Sequence, residues 1–278
     1  MEADEFDALI DEALTAKAIK KSHPRVVGRY WPSEIKKCVR ASYLDFLGPE
    51  LKPIEIKQLG IFESAIASQD KLVELLKTYI AEKFDLEDAV QAETEVKVDI
   101  GDGIHLSGRG DLLILFPKDE TLVEIKSYGY PNAINRLNHD HKYQLMPYLK
   151  YYGYSQGLFC YIDRASLAHK SYTQAWDEKI WKECVWRVKE KHYFIQNKEY
   201  PPPEAMLDVG MRKQCDWCPW IEICADDWEK YGIDKKKDQK VASDLMREFR
   251  TVSIFSVEEL IKQGECCGEG CVMCPYEP

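Results

Sequence analysis

Asp111, Glu124 and Lys126 are the residues whose types and spacing suit a single reaction centre. They sit in two apolar runs, Gly108-Arg109-Gly110-Asp111-Leu112-Leu113-Ile114 and Leu122-Val123-Glu124-Ile125-Lys126. Strand alternation puts Glu124 and Lys126 on one face. Asp111, near the start of the adjacent antiparallel strand, faces them across the ladder. Its carboxylate and that of Glu124 are hard oxygen ligands for Mg²⁺ or Mn²⁺, with the Ile125 carbonyl as a further ligand. Such an ion polarises a phosphodiester and lowers the pKa of a bound water. Lys126 then orients that water or offsets charge in the transition state. A bare D…E-x-K arises often by chance in a chain this charged. Here it gains weight from the apolar strand around Glu124 and Lys126, and from Gly108 and Gly110, which relax the backbone before Asp111.

Gln144 and Tyr148, four apart, share a helix face. They read either as a solvent-facing Gln with a core Tyr, or as a polar pair aimed at the acidic site and substrate phosphates.

The second constellation is sulfur. Cys215, Cys218 and Cys224 form a C-x₂-C-x₅-C run among ten cysteines in all. Three close cysteines need a fourth ligand. A zinc ribbon would supply two pairs; here the remaining candidate lies far upstream, at Cys38. Cys160 and Cys184 sit in apolar segments and read as core residues. The glycine-rich tail carries Cys266, Cys267, Cys271 and Cys274. It reads as a second metal site, a redox-sensitive tail or a partner-binding knuckle.

These residues need positioning elements. Residues 1–22 read as an amphipathic helix, a second helix runs from Ser33 to a stop near Gly48-Pro49, and a third from about Ile56 to Lys83. Strands follow at 93–100, 106–116 and 121–128, the last two joined by the turn Pro117-Lys118-Asp119-Glu120. A helix over 135–152, a strand over 156–163 and a Trp-rich helix over 173–196, ended by Pro201-Pro202-Pro203, complete the pattern. That order suits an α/β fold, a mixed sheet flanked by helices.

The chain's 278 residues, 45% of them hydrophobic, supply one sizeable core plus appendages. A net charge of −10 argues against bulk coating of nucleic acid. It leaves room for a local basic groove, placed around Lys126, Arg136, His139, His141 and Lys142. No run of eighteen apolar residues occurs and the acidic start lacks a secretory signal pattern, so the expectation is a cytoplasmic, non-membrane protein with reduced cysteines. No Walker motif, and hence no helicase motor, is visible.

Gly-x-x-Asp, Glu-x-Lys and Gln-x-x-x-Tyr in this order resemble the RecB-type signature of the PD-(D/E)XK nucleases. The resemblance implies a restriction-endonuclease-like fold in which Asp111 and Glu124 bind metal, Lys126 is catalytic, and Gln144 and Tyr148 support the site. The family carries a histidine shortly after a glycine on the preceding helix. Gly60-Ile61-Phe62-Glu63-Ser64 has none, and Glu63 is the candidate metal ligand in its place. Cys38-Val39-Arg40-Ala41-Ser42-Tyr43-Leu44 resembles the C-x-R-x-x-Y-L opening of RecB-like nucleases that hold an iron–sulfur cluster, such as AddB-type helicase-nucleases and CRISPR-associated RecB-like exonucleases.

By that resemblance Cys38, Cys215, Cys218 and Cys224 hold a 4Fe–4S cluster that ties the N-terminal helix to the C-terminal segment. The implied organisation is a helical extension (1–35), a nuclease domain with its iron–sulfur subdomain (36–225), a charged helical connector (226–262) and a Cys-rich tail (263–278). The implied function is a Mg²⁺- or Mn²⁺-dependent DNA exonuclease acting on single-stranded ends, in CRISPR adaptation alongside an integrase, or in DNA repair and recombination. The alternative is a non-catalytic iron–sulfur DNA-binding adaptor of the same fold. Monomer and homo-oligomer both remain open.

Overall fold

A computed structural model describes residues 3–21, 25–49, 56–117, 119–129, 131–135, 137–208 and 210–224. The connector and the tail cysteines Cys266, Cys267, Cys271 and Cys274 lie outside the described residues, as does Arg136. The chain divides into two interleaved units. The first comprises the described residues of Met1–Pro24, Lys52–Val98 and Leu106–Asp177; the second comprises those of Arg25–Leu51, Asp99–His105 and Glu178–Pro278.

In the first unit, helices α1 (Ala3–Lys21) and α3 (Ile56–Phe84) precede a mixed sheet of β2 (Val90–Asp99), β3 (His105–Phe116), β4 (Asp119–Tyr128), β5 (Gln156–Asp163) and β6 (His169–Ala175). β3, β4, β5 and β6 lie side by side, and β2 pairs with β3. The β3–β4 and β5–β6 pairs are antiparallel, whereas β4–β5 is parallel. A parallel pair needs a crossover, and helix α4 (His141–Tyr152) makes it.

The sheet carries helices on both faces. Val123 and Ile125 turn into a core with Val73 and Ile80 of α3, together with Leu112 and Ile162. On the other face, α4 lays its fully buried Leu145 and Leu149 against Gly157 of β5. A Cβ on Gly157 would sit 3.2 Å from both the Leu122 carbonyl oxygen and Leu149 Cδ2, so this close approach of helix to sheet depends on glycine.

The second unit holds β1 (Arg29–Tyr30), α2 (Val39–Leu47), α5 (Glu178–Asn197) and the short α6 (Glu204–Leu207), followed by a 3₁₀ turn over Arg212–Trp217. Its apolar cluster combines Cys38, Ala41 and Leu44 with Ala205, Met211 and Trp220.

Three features differ from the sequence reading. Pro32–Glu34 is a 3₁₀ turn, and the helix begins at Val39 rather than near Ser33. Pro131–Asn135 is likewise 3₁₀, and α4 begins only at His141. β6 was not expected; it takes residues 173–175 that read as the start of a helix. Its sequence is polar and mostly exposed, so no apolar alternation marks it.

Candidate active site and cysteine cavity

The β3–β4 register runs from Phe116↔Asp119 to Leu112↔Val123. One step further sets Asp111 against Glu124. There the Asp111 side chain takes over from the backbone ladder: Ile125 N–H donates to its Oδ2 at 2.7 Å. Lys126 Nζ lies 2.6 Å from Glu124 Oε1 and 2.7 Å from Gln144 Oε1. Gln144 in turn donates from Nε2 to the same Glu124 oxygen. Tyr148, one turn on along α4, is buried; burial pushes its hydroxyl up, the carboxylates of Glu124 and Asp111 add to the rise, and Gln144 pulls against it. The structure therefore brings together Asp111, Glu124, Lys126, Gln144 and Tyr148.

Burial dominates the electrostatics. Glu124 is 1% exposed, and burial pushes its carboxyl up to about 8 although Lys126 pulls it back; the facing Asp111 adds to the rise. Asp111 is likewise raised by burial, against Lys126 and the Ile125 N–H. Burial alone would lower Lys126, but the two carboxylates outweigh it and hold the ammonium above its ordinary value. Glu124 Oε2 is buried and has no hydrogen-bond partner, and its carboxylate neighbour is Asp111. Two carboxyl groups so placed need a shared proton or a cation between them. A divalent cation fits this donor set. Among the described residues no three His, Cys, Asp or Glu side chains are grouped to hold one ion, so the protein's further ligands would be oxygens of other kinds.

Glu63 does not join this group: its carboxylate is engaged by Lys17 of α1. The α3 side chain that does reach Asp111 is Gln69, which sequence reasoning missed. Its only signal was position, on the helix face that also carries Leu72, Val73 and Leu76 toward the core. Of the expected groove residues, His141 has its Nδ1 2.7 Å from the Tyr161 hydroxyl. Burial and then Lys126 push it down to about 4, so it is neutral and brings no charge to a phosphate. His139 is exposed and Lys142 half-buried.

In the second unit, Cys38, Cys215, Cys218 and Cys224 all line one cavity of about 170 Å³. Burial pushes the thiols of Cys38, Cys218 and Cys224 up, Cys224 to about 11. Polar groups pull the other way: the backbone amides of Ala41, Ala205 and Arg40 at Cys38, that of Trp220 at Cys218, and the Arg40 guanidinium at Cys224. Glu204 adds to the rise at Cys38 and Asp45 to that at Cys218, and all three thiols stay above their ordinary value.

A polar clamp fixes the segment that leads into Cys38. Lys191 donates to the Glu34 carbonyl and, at 2.9 Å, to that of Ile35. Arg187 donates to the Ile35 carbonyl at 3.1 Å and Gln214 to that of Lys36 at 2.8 Å. Cys38 N–H donates to Gln214 Oε1 at 2.9 Å and Val39 N–H to Glu204 at 3.0 Å. Arg187 and Glu204 form a buried bidentate pair at 2.8 and 3.1 Å. Burial opposes ionisation of Glu204, but Arg187 holds it down at about 2.

Fold and site define a mixed α/β protein whose first unit carries a buried acid–lysine centre and whose second carries a four-cysteine cavity. No protein-family model and no curated protein matches the chain. Among solved structures it is similar to SSO0001, a Sulfolobus protein, at TM-score 0.53 and 18% identity, over 79% of this chain and 96% of that one. A likeness at that identity shows a common fold. An alkaline exonuclease from Laribacter hongkongensis, LHK-Exo, aligns over 67% of this chain and 93% of its own at TM-score 0.35 and 12% identity, too low a similarity to define a shared fold.

Proposed function

We propose that this chain is a metal-dependent deoxyribonuclease of the RecB-like PD-(D/E)XK build, acting on single-stranded DNA ends. The observation that carries the reading is the buried Glu124 Oε2, without a hydrogen-bond partner and set against a second carboxylate, with Lys126 beside it. A binding protein gains nothing from such a costly arrangement. Asp111, Glu124 and the Ile125 carbonyl would hold Mg²⁺ or Mn²⁺, which supplies Lewis acidity to a phosphodiester. Lys126, kept as an ammonium, offsets the charge that develops on the phosphoryl oxygens. Gln144, bonded to Lys126 and Glu124 together, holds both in register, and Tyr148 closes the apolar side of the pair.

In the second unit the four cysteines would hold a 4Fe–4S cluster. One zinc ion would need its sulfurs about 3.8 Å apart around a 2.3 Å bond length. What supports the cluster is that all four cysteines line one cavity, together with the resemblance of the Cys38 segment to nucleases that hold one. The biological setting we favour is the trimming of DNA for CRISPR adaptation or repair, with an integrase or repair proteins as partners.

The deciding experiment follows end-labelled single strands with and without added Mg²⁺ or Mn²⁺. Cleavage that needs the ion, stops with EDTA and disappears in Lys126→Ala is the expected result. Full activity in Lys126→Ala would overturn the assignment.

A further inference from the structure

Arg164 follows β5 at the carboxyl end of the parallel strand pair. Lys126 pairs with Tyr161 and Tyr128 with Asp163, and the Arg164 N–H then donates to the Tyr128 carbonyl at 2.9 Å. Arg164 therefore lies three residues, about 10 Å, along the sheet from the row of Lys126. Its backbone is held from both sides. The buried Asp163 accepts from the Ala165 N–H at 3.4 Å and from the Ser166 hydroxyl, and its own N–H donates to the Ala168 carbonyl at 2.8 Å. The guanidinium is held far less. Its Nη1 reaches the Ile61 carbonyl of α3 at 3.4 Å, a weak contact. Its Nε is buried without a hydrogen-bond partner, and among the described residues no carboxylate pairs with the charge. The helix it leans on is the one whose Gln69 reaches Asp111, and the residue after Ile61, Phe62, is 53% exposed.

We infer that Arg164 binds a backbone phosphate of the single strand, a short way along from the phosphate that is cut. The inference rests on the proposed nuclease reading. A half-buried cation with one N–H shut away from any acceptor is a cost carried by the free chain, and an oxyanion from outside would relieve it. With only one weak contact at its head, the fork is free to turn toward such an anion while its backbone stays fixed. Arginine suits the task because its charge is permanent and its planar donors match phosphate oxygens in pairs. The place suits it too: in α/β sheets ligands are met outside the carboxyl ends of the strands, where β4 and β5 both finish. A phosphate contact there sets the position of the strand without reading its sequence. Phe62, an exposed ring on the α3 turn that Arg164 touches, supplies the aromatic face on which single-strand binders stack a base. In a chain of net charge −10, a cation so placed counts for more than its number suggests.

The test uses the full chain with Ca²⁺ in place of Mg²⁺, so that binding is read without cleavage. The probes are a fluorescent single-stranded oligonucleotide and a set of the same strand in which one phosphate at a time is replaced by a neutral methylphosphonate. Parent, Arg164→Gln and Arg164→Lys are compared by anisotropy over a range of salt. Arg164→Gln should bind the unmodified strand about tenfold more weakly, with a salt slope lower by about 0.7. Arg164→Lys should recover the slope but only part of the affinity. A neutral linkage at the contacted position should weaken the parent about tenfold and leave Arg164→Gln unmoved, whereas neutral linkages elsewhere weaken both alike. A merely structural role would not produce that single blind position. Arg164→Met, which keeps the stem of the side chain, carries the test if Arg164→Gln does not fold. If every neutral linkage affects the parent and the folded neutral variant equally, Arg164 meets no phosphate and the inference is overturned, with the nuclease reading intact. A parent chain that neither binds nor cleaves single strands overturns the nuclease reading, and this inference with it.

Discussion

Glu124 sets the behaviour of the acid–lysine centre. Its carboxyl ionises near 4.5 when free and is pushed up to about 8 in the folded chain. A group that holds its proton more tightly when folded favours the folded state at low pH. That contribution is complete below 4.5 and is lost as pH rises toward about 8. The metal-free chain should therefore show a falling melting temperature across this window, and saturating Mg²⁺ should flatten the fall because the cation takes the proton's place. Identical pH profiles with and without Mg²⁺ would count against a cation at this site. Glu124→Gln removes the titration as well as a ligand, and should abolish cleavage while leaving a folded protein whose melting temperature no longer falls in that range. Strand alternation made Asp111, Glu124 and Lys126 legible as one face of the sheet, whereas Gln144 and Tyr148 were joined to them only by the resemblance to the RecB-type signature, since a shared helix face does not say what it meets. Gln69 was not legible, since a polar residue on a long amphipathic helix carries no mark of what it faces. Glu63 shows the converse: its position after Gly60 suggested a ligand, yet Lys17 of α1 takes its charge. Glu63→Gln should leave the metal requirement unchanged, whereas Gln69→Ala should raise the Mn²⁺ concentration for half-maximal cleavage several-fold.

Elements carry the next layer of control. α4, which brings Gln144 to Glu124, sits close on β5 at Gly157, where a Cβ would be tight against the Leu122 carbonyl and Leu149. Gly157→Ala must move α4 or the Leu122 backbone by a few tenths of an ångström, at an overpacking cost of about 1–3 kcal/mol. We expect cleavage to drop about tenfold or more while metal binding changes little, because Gln144 and Lys126 lose register but the two carboxylates do not. A Gly157→Ala protein with parent turnover would show that α4 tolerates the shift. The elements with a clear apolar period, α3, β3, β4 and β5, were read from the sequence within a few residues of their ends. β6 was lost because an exposed edge strand has little reason to alternate, and its Lys170 is the kind of charge that guards such an edge. The starts of α2 and α4 were misplaced for a shared reason. Each is preceded by a 3₁₀ turn that opens on a proline, a residue equally at home in the first turn of an α-helix, and only tertiary contacts decide where the wider winding begins.

At the scale of the whole molecule, charge decides how substrate is met. On the proposed nuclease reading, with a net −10, attraction for DNA would come from a few cations near the site, and His141, being neutral, is not one of them. Binding of single strands to the Ca²⁺-loaded or metal-free chain should weaken with salt along a shallow line, corresponding to two or so phosphates at about 0.7 per contact. Lys142→Ala should flatten it further; a steep slope, or none, would place the contact surface elsewhere. The division into two interleaved units could not be read from the sequence, because hydrophobic period reports on neighbours along the chain and the units are assembled from segments far apart in it.

The clamp around residues 34–39 has a consequence for biosynthesis. Its two ends are 150 or more positions apart in the chain: Ile35 meets Arg187, Lys37 meets Arg187, and Cys38 meets Gln214. On the ribosome, the carbonyls and amides of this segment wait for α5, α6 and the turn beyond them to emerge. At about 5–20 residues per second, that delay is on the order of ten seconds or more. The first unit completes its sheet sooner, so the nascent chain passes through an interval with a finished sheet and an unmet Cys38 segment. Slowing translation between the codons for Asp177 and Gln214 should lengthen that interval, seen as a longer-lived protease-sensitive site near Cys38 in stalled chains.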